Sequence, residues 1–205
     1  MSNVKSQSIW GNPRQSIACV YKDNDMAYQC SGAHAASFIV KECLIHFQRL
    51  MLENFKQNPS GLFVVEDIWR EKSILDIGCG TGRITRVLSF FFKKTFGYDP
   101  IPETIALANI ECLPMSFSGL SYGTELPDSK YSASCCVNVI EHLTVKDQIQ
   151  VLKQLTDRTE KNGPIVIWLH TGINKEAVQA VFGPMALHEY RQNPPSHIVK
   201  TFKNI

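Results

Sequence analysis

The sequence predicts an α/β fold, a mainly parallel and doubly wound sheet with helices on both faces. Three observations predict it. The apolar run Ile74-Leu75-Asp76-Ile77 passes straight into a loop with glycines at alternate positions, Gly78, Gly80 and Gly82. A second strand closes on an acid, Asp99. Helical and strand patterns then alternate along the chain, as a parallel sheet requires.

Each element has its own justification. Ala36, Val40, Cys43, Leu44, Phe47, Leu50, Met51 and Phe55 recur at helical spacing, giving a long amphipathic helix before the first strand. Asn58-Pro59-Ser60-Gly61 stops it. Ile74, Leu75 and Ile77 suit a strand buried on both faces, and the glycines let the backbone turn tightly and approach a ligand. Ile84, Val87, Leu88, Phe91 and Phe92 form the inward stripe of the next helix, followed by the strand ending at Asp99. Pro102 opens a short helix through Ala106 and Ala108. The stretch from Pro114 to Tyr122 is poorly patterned, and the third strand is placed there because the fold needs one before the clear strand at Ser132 to Val139.

Thr144 with Asp147 resembles a capping box for a helix carrying Ile149, Leu152 and Leu155. Asn162-Gly163-Pro164 ends that helix before the strand Ile165 to Leu169. Asn174 caps a further helix through Ala177, Val178 and Val181, which Gly183-Pro184 breaks.

With 205 residues, 44% hydrophobic and 20% charged, the chain can bury the core of one compact domain without staples. Its formal net charge is +2 and no basic run stands out, so the electrostatic footprint of nucleic-acid binding is missing. Cys19, Cys30, Cys43, Cys79, Cys112, Cys135 and Cys136 are odd in number, lack a C-x-x-C pair and sit largely in apolar segments. That usage fits reduced small hydrophobes in a cytoplasmic protein rather than a zinc site. The N-terminus shows no basic stretch before an apolar core, and no apolar run reaches the length of a membrane span. The expectation is a soluble cytoplasmic protein with no membrane partner, its oligomeric state left open.

Glycine spacing discriminates among cofactors. A dinucleotide fingerprint wants G-x-G-x-x-G, and here the third glycine arrives one residue early, with Arg83 in the expected place. No Lys-Ser or Lys-Thr pair follows, so the nucleoside-triphosphate P-loop pattern also fails.

Asp76, Gly78, Gly80 and Gly82 match one for one the D-x-G-x-G-x-G loop of class I S-adenosylmethionine (SAM) methyltransferases, and the chain resembles that Rossmann-like family at further stations. Phe96-Gly97-Tyr98-Asp99-Pro100 looks like the end of the family's second strand. Glu125-Leu126-Pro127-Asp128-Ser129 with Tyr131 is similar to its "LPF-x-D-x-x-FD" entry to the fourth strand, and Val137 to Leu143 resembles its "x-x-x-IEHL" exit. The stations cover roughly residues 73 to 170.

The resemblance implies SAM as cofactor, with S-adenosylhomocysteine (SAH) as its product, and a set of residues to hold it. These are Asp76, Gly78, Cys79, Gly80 and Gly82 at the loop, Asp99 on both ribose hydroxyls with Pro100 beside it, Thr124 and Glu125 near adenine, and Asn138 near the methionine part. Asp99 can equally cap the helix after Pro100 and Pro102.

Because SAM is already activated, one well-placed base can serve the transfer, and His142 is the candidate, since an imidazole titrates near neutral pH. The alternative is that Glu141-His142 only caps or packs the loop. His170, closing the fifth strand beside Thr171, is a second candidate base. Asn138-x-x-Glu141-His142 also resembles the E-x-x-E-H metal motif of small-RNA 2'-O-methyltransferases, with His197 a further ligand. Asn in place of the first acid removes a charge from such a site, and no metal is assigned.

Residues 1 to 32 are read as an N-terminal extension or lid, and 33 to 205 as the methyltransferase domain. His197 to Phe202 looks like the family's approach to a late helix that precedes two final strands. On that reading the chain is a fragment or its sheet stops at five strands.

The expected activity is methyl transfer to an oxygen or nitrogen of a small-molecule acceptor. A non-catalytic or incomplete methyltransferase-like binding module competes with it, as do an RNA 2'-O-methyltransferase and a dinucleotide-dependent oxidoreductase.

Overall fold

The structure, a computed structural model, describes residues 25–57, 71–112, 118–169, 173–182, 188–191 and 198–203. A long helix α1 (Asp25–Gln57) precedes strand β1 (Ser73–Ile77), helix α2 (Arg83–Leu88), β2 (Lys94–Tyr98) and α3 (Pro102–Cys112). Then come β3 (Leu120–Gly123), β4 (Ala133–Val137), a 3₁₀ turn (Ile140–His142), α4 (Val145–Arg158), β5 (Pro164–Leu169) and α5 (Lys175–Phe182). Two strands close the order, β6 (His188–Arg191) and β7 (Ile198–Lys203).

All seven strands join one sheet in the order β3-β2-β1-β4-β5-β7-β6. The first five are parallel, whereas β7 pairs antiparallel with both β5 and β6. The reversal at β1, flanked by β2 on one side and β4 on the other, is the switch point at which open α/β sheets bind their ligands.

Two expectations are corrected here. The sheet does not stop at five strands, and Ile198 to Phe202 is itself part of a strand of that sheet. Ile198, Val199, Thr201 and Phe202 are β-branched or aromatic, and this local preference gives a strand that registers from Pro164↔Lys203 to Leu169↔Ile198. The third strand lies at the end of the stretch foreseen for it, at Leu120–Gly123. Helix α2 is also shorter than its apolar stripe implied. It ends at Leu88, and Phe91 is 43% exposed while Phe92 is buried. The first helix begins at Asp25, so residue 32 lies within it.

Strand alternation splits the core in two, because successive side chains point to opposite faces. On one face Ile74, Cys135, Val166 and Trp168 pack against Ala36, Ile39, Cys43 and Phe47 of α1 and Ile84 and Leu88 of α2. On the other, Leu75, Ile77, Cys136, Ile165 and Ile167 meet Leu152 and Leu155 of α4 and Ala177 and Phe182 of α5. Cys43, Cys79, Cys135 and Cys136 are free and buried, as small hydrophobes. Among the described residues no helix is long and apolar enough to cross a membrane.

Thr144 caps α4 with Asp147 as its partner: its hydroxyl accepts the Asp147 N–H at 3.3 Å and donates to the Asp147 carboxylate at 2.7 Å, in place of the backbone N–H bond of a full capping box. Asn174 likewise caps α5, its Oδ1 accepting the Glu176 N–H at 2.8 Å. We expect Thr144→Ala to cost about 1 kcal/mol of stability and Thr144→Ser only a few tenths. Urea denaturation at constant m-value checks this, and an unshifted midpoint for Thr144→Ala would exclude the cap.

Candidate active site

The carboxyl ends of β1, β2 and β4 bring Gly78, Asp99 and Asn138 to one rim. Between them the loop from Gly78 to Gly82 folds back on the protein. The Tyr98 carbonyl accepts the N–H groups of Gly78 at 2.7 Å and of Cys79 at 3.0 Å. Gly80 N–H donates to Asp99 Oδ2 at 3.2 Å, and Gly82 N–H to the Cys79 carbonyl at 3.0 Å.

Gly78, Gly80 and Gly82 have φ of 76°, 56° and 79°, a region that strains other residues. Their surroundings differ. A Cβ at Gly78 would run into Val139, whereas one at Gly80 would meet no atom within 4 Å. Gly80 therefore faces open space at the rim, the place where a ligand can approach the backbone.

Asp76 does not face that space. It is 1% exposed, and its two carboxylate oxygens accept from the Thr85 hydroxyl at 2.6 Å and the Cys135 thiol at 3.5 Å. Burial pushes its pKa up to about 6, although Thr85, Cys135 and the nearby Arg83 charge pull the other way. It ties β1 to α2 underneath the loop. Cys79 is buried as well, its sulfur packed where a side chain on Gly97 would stand. Burial, reinforced by the Asp76 charge, pushes its thiol pKa up.

Asp99 sits beside the opening at 8% exposure. Its Oδ1 accepts the Ile101 N–H at 3.0 Å and its Oδ2 that of Gly80, which fixes its direction; it closes a turn ahead of α3 and does not cap it, since the N-cap position before Pro102 is Ile101. Burial raises its pKa, against the pull of the two backbone N–H groups. A carboxylate has about four lone-pair sites, which leaves acceptor capacity for two hydroxyls.

Asn138 adopts φ 54° and donates its N–H to the Trp168 carbonyl at 2.8 Å. Its Oδ1 is buried with no hydrogen-bond partner among the described residues, an arrangement that awaits a donor. His142 ends the 3₁₀ turn and is exposed, its N–H donating to the Val139 carbonyl at 3.0 Å. Thr124 and Glu125 are exposed after β3, as is Pro100 after β2. His170, Thr171 and His197 lie outside the described residues. Among those described, no group of three His, Cys, Asp or Glu gathers as a metal site.

Sequence reasoning missed Thr85, the partner of Asp76, and Arg83, whose guanidinium donates to the Ser31 hydroxyl of α1 at 2.7 Å. It also missed Tyr122. The polar type of Thr85 in an otherwise apolar helix stripe was the available signal.

Sheet order, glycine loop and rim define an α/β methyltransferase fold. The comparisons with known proteins agree, for residues 46–192 match the model of the family described as "Methyltransferase domain". The chain belongs to that family.

Among solved structures, magnesium protoporphyrin IX methyltransferase from Synechocystis with bound SAH superposes with a TM-score of 0.62 at 10% identity, over 98% of this chain and 99% of that one. The N-methyltransferase NodS from Bradyrhizobium japonicum, in complex with SAH, gives 0.54 at 14% identity over 65% and 78%. A probable S-adenosylmethionine-dependent methyltransferase of Saccharomyces cerevisiae is 45% identical over 40 residues, which span 20% of this chain and only 14% of the yeast protein.

The raised pKa of Asp76 has a testable sign. A carboxyl with a folded-state pKa above its ordinary 3.8 contributes stability that is present below that value and is lost as pH rises through about 6. Asp76→Asn should therefore flatten the stability profile between pH 4 and 6 and match or exceed the wild type at pH 8, by up to about 3 kcal/mol. Thermal melts across pH check it; a slope unchanged by the substitution contradicts the assignment.

Proposed function

We infer that this chain is a SAM-dependent methyltransferase that methylates an oxygen or nitrogen of a small molecule. The observation that carries the cofactor reading is the closed loop beside Asp99. The N–H groups of Gly78, Cys79, Gly80 and Gly82 all donate within the protein, so these four are not presented to a phosphate, as a dinucleotide site requires. A neutral ribose needs an acceptor instead, and Asp99 is one.

The residues present fit the cofactor. Asp99 holds the ribose hydroxyls, Gly80 allows close approach of the backbone, and the buried Oδ1 of Asn138 accepts from the amino group of the methionine part. Thr124 and Glu125 flank adenine, and Pro100 borders the ribose. Asp76 and Cys79 act from below, by fixing the loop. Bound SAM supplies a methyl group on a sulfonium, already activated. What remains for the chain is to align the acceptor and take its proton. His142 is exposed on the same rim, at the exit of β4, and is the base.

A small acceptor is supported by two things. A near full-length likeness is to an enzyme named for magnesium protoporphyrin IX, and the formal net charge of +2 comes with no basic run for a phosphate backbone.

Two outcomes test the reading. Asp99→Ala should weaken SAH binding by about 10- to 100-fold, the loss of charge-assisted hydrogen bonds, with the fold intact by circular dichroism. Equal affinity by calorimetry would remove Asp99 from the site. With an acceptor found by screening hydroxyl and amine compounds against methyl-labelled SAM, His142→Ala should lower the turnover rate about 10²- to 10⁴-fold and leave SAH affinity unchanged. Full turnover at saturating acceptor would rule out His142 as the base.

A further inference from the structure

We propose that Tyr122 of β3 is a positioning residue for the cofactor loop. Its ring fills a notch left by two glycines of different elements, and its hydroxyl holds the loop's last carbonyl. This rests on the cofactor reading above and adds to it a residue that acts through the loop.

In the parallel β2–β3 pair Tyr122 stands opposite Gly97. An aromatic ring can lie across a strand glycine because no side chain opposes it. A Cβ on Gly97 would come within 2.5 Å of Tyr122 Cδ1 and 2.8 Å of Cε1. The ring then reaches the exit of the loop. A Cβ on Gly82 would lie 2.6 Å from Tyr122 Cζ, and the hydroxyl donates to the Gly82 carbonyl at 3.3 Å. Arg86 Nη1 takes the preceding carbonyl, that of Thr81, at 2.9 Å.

Gly82 is therefore glycine for two independent reasons. Its φ of 79° disfavours any side chain, and the ring occupies the space one would need. Gly97 lacks the positive φ, and there the ring and the Cys79 sulfur are what a side chain would meet first. Gly97→Ala thus drives a methyl group against the clasp without straining the backbone.

If Tyr122 were only filling space, losing its hydroxyl and losing its ring would both act on stability alone. As a clasp it acts on the loop, which opens to more conformations when released, and binding then has to pay for ordering it.

The test uses the full chain, with SAH titrated by calorimetry and amide hydrogen exchange followed in peptides covering 78–86 and, as a control, α4. Tyr122→Ala should weaken SAH about tenfold and speed exchange in the loop but not in α4, while Tyr122→Phe should keep affinity within about threefold of wild type. Gly97→Ala should also weaken SAH, and adding Tyr122→Ala to it should cost less than the two single losses combined, because the clash with the ring is gone and only the contact with the Cys79 sulfur stays.

Wild-type affinity and wild-type loop exchange in a folded Tyr122→Ala would overturn the proposal, as would strictly additive losses in the double variant. Should Tyr122→Ala not fold, Gly97→Ala and Tyr122→Phe carry the test: unchanged loop exchange in both rejects the clasp. A wild-type chain that fails to bind SAH would reject the cofactor reading alone, since loop exchange still decides whether Tyr122 restrains residues 78–82.

Discussion

The carbonyl of Tyr98 accepts two consecutive N–H groups, those of Gly78 and Cys79, and this shared acceptor turns β1 into the loop. Everything at the rim is built around that turn. Parallel pairing puts Ile77 beside Tyr98, so the end of β2 is the nearest partner for a backbone that has just left β1. With Asp99 next in sequence, its carboxylate falls under Gly80 and takes that N–H as well. A single register between two strands thereby sets both the loop's shape and the direction of the Asp99 carboxylate.

Burial gives the same register an electrostatic character. Asp76 and Asp99 leave their strands at different levels, one deep beneath the loop and one beside its opening, and burial raises both pKa values. Asp76 uses both oxygens on Thr85 and Cys135, which makes it a brace between strand and helix. Asp99 takes two backbone N–H groups and keeps lone pairs for a ligand. Two acids of similar chemistry thus serve different tasks because one is enclosed on all sides and the other borders open space.

Much of this was legible in the sequence. Alternating glycines after an apolar strand, an acid closing the second strand and Thr144 with Asp147 are local signals whose geometry follows from a few neighbouring residues, and the structure places all three as read. What stayed hidden depends on distant partners. Leu120–Gly123 carries little strand pattern of its own and is held by pairing with β2. The resemblance reads His197 to Phe202 as the approach to a helix, although the β-branched residues there favour the strand Ile198–Lys203 that pairs with β5. Tyr122 could not be found at all, because its meaning comes from two glycines that the fold brings beneath its ring. The acceptor side is written in loops and is the least legible part of any such sheet.

Parallel calorimetric titration of the wild-type chain with SAH and with NAD tests the central claim most directly. A loop with its N–H groups committed internally, beside a carboxylate that keeps acceptor sites, predicts saturable binding of SAH and none of NAD. Binding of NAD with SAH silent would contradict it, for a phosphate would then have found donors that the structure assigns to Tyr98, Asp99 and Cys79.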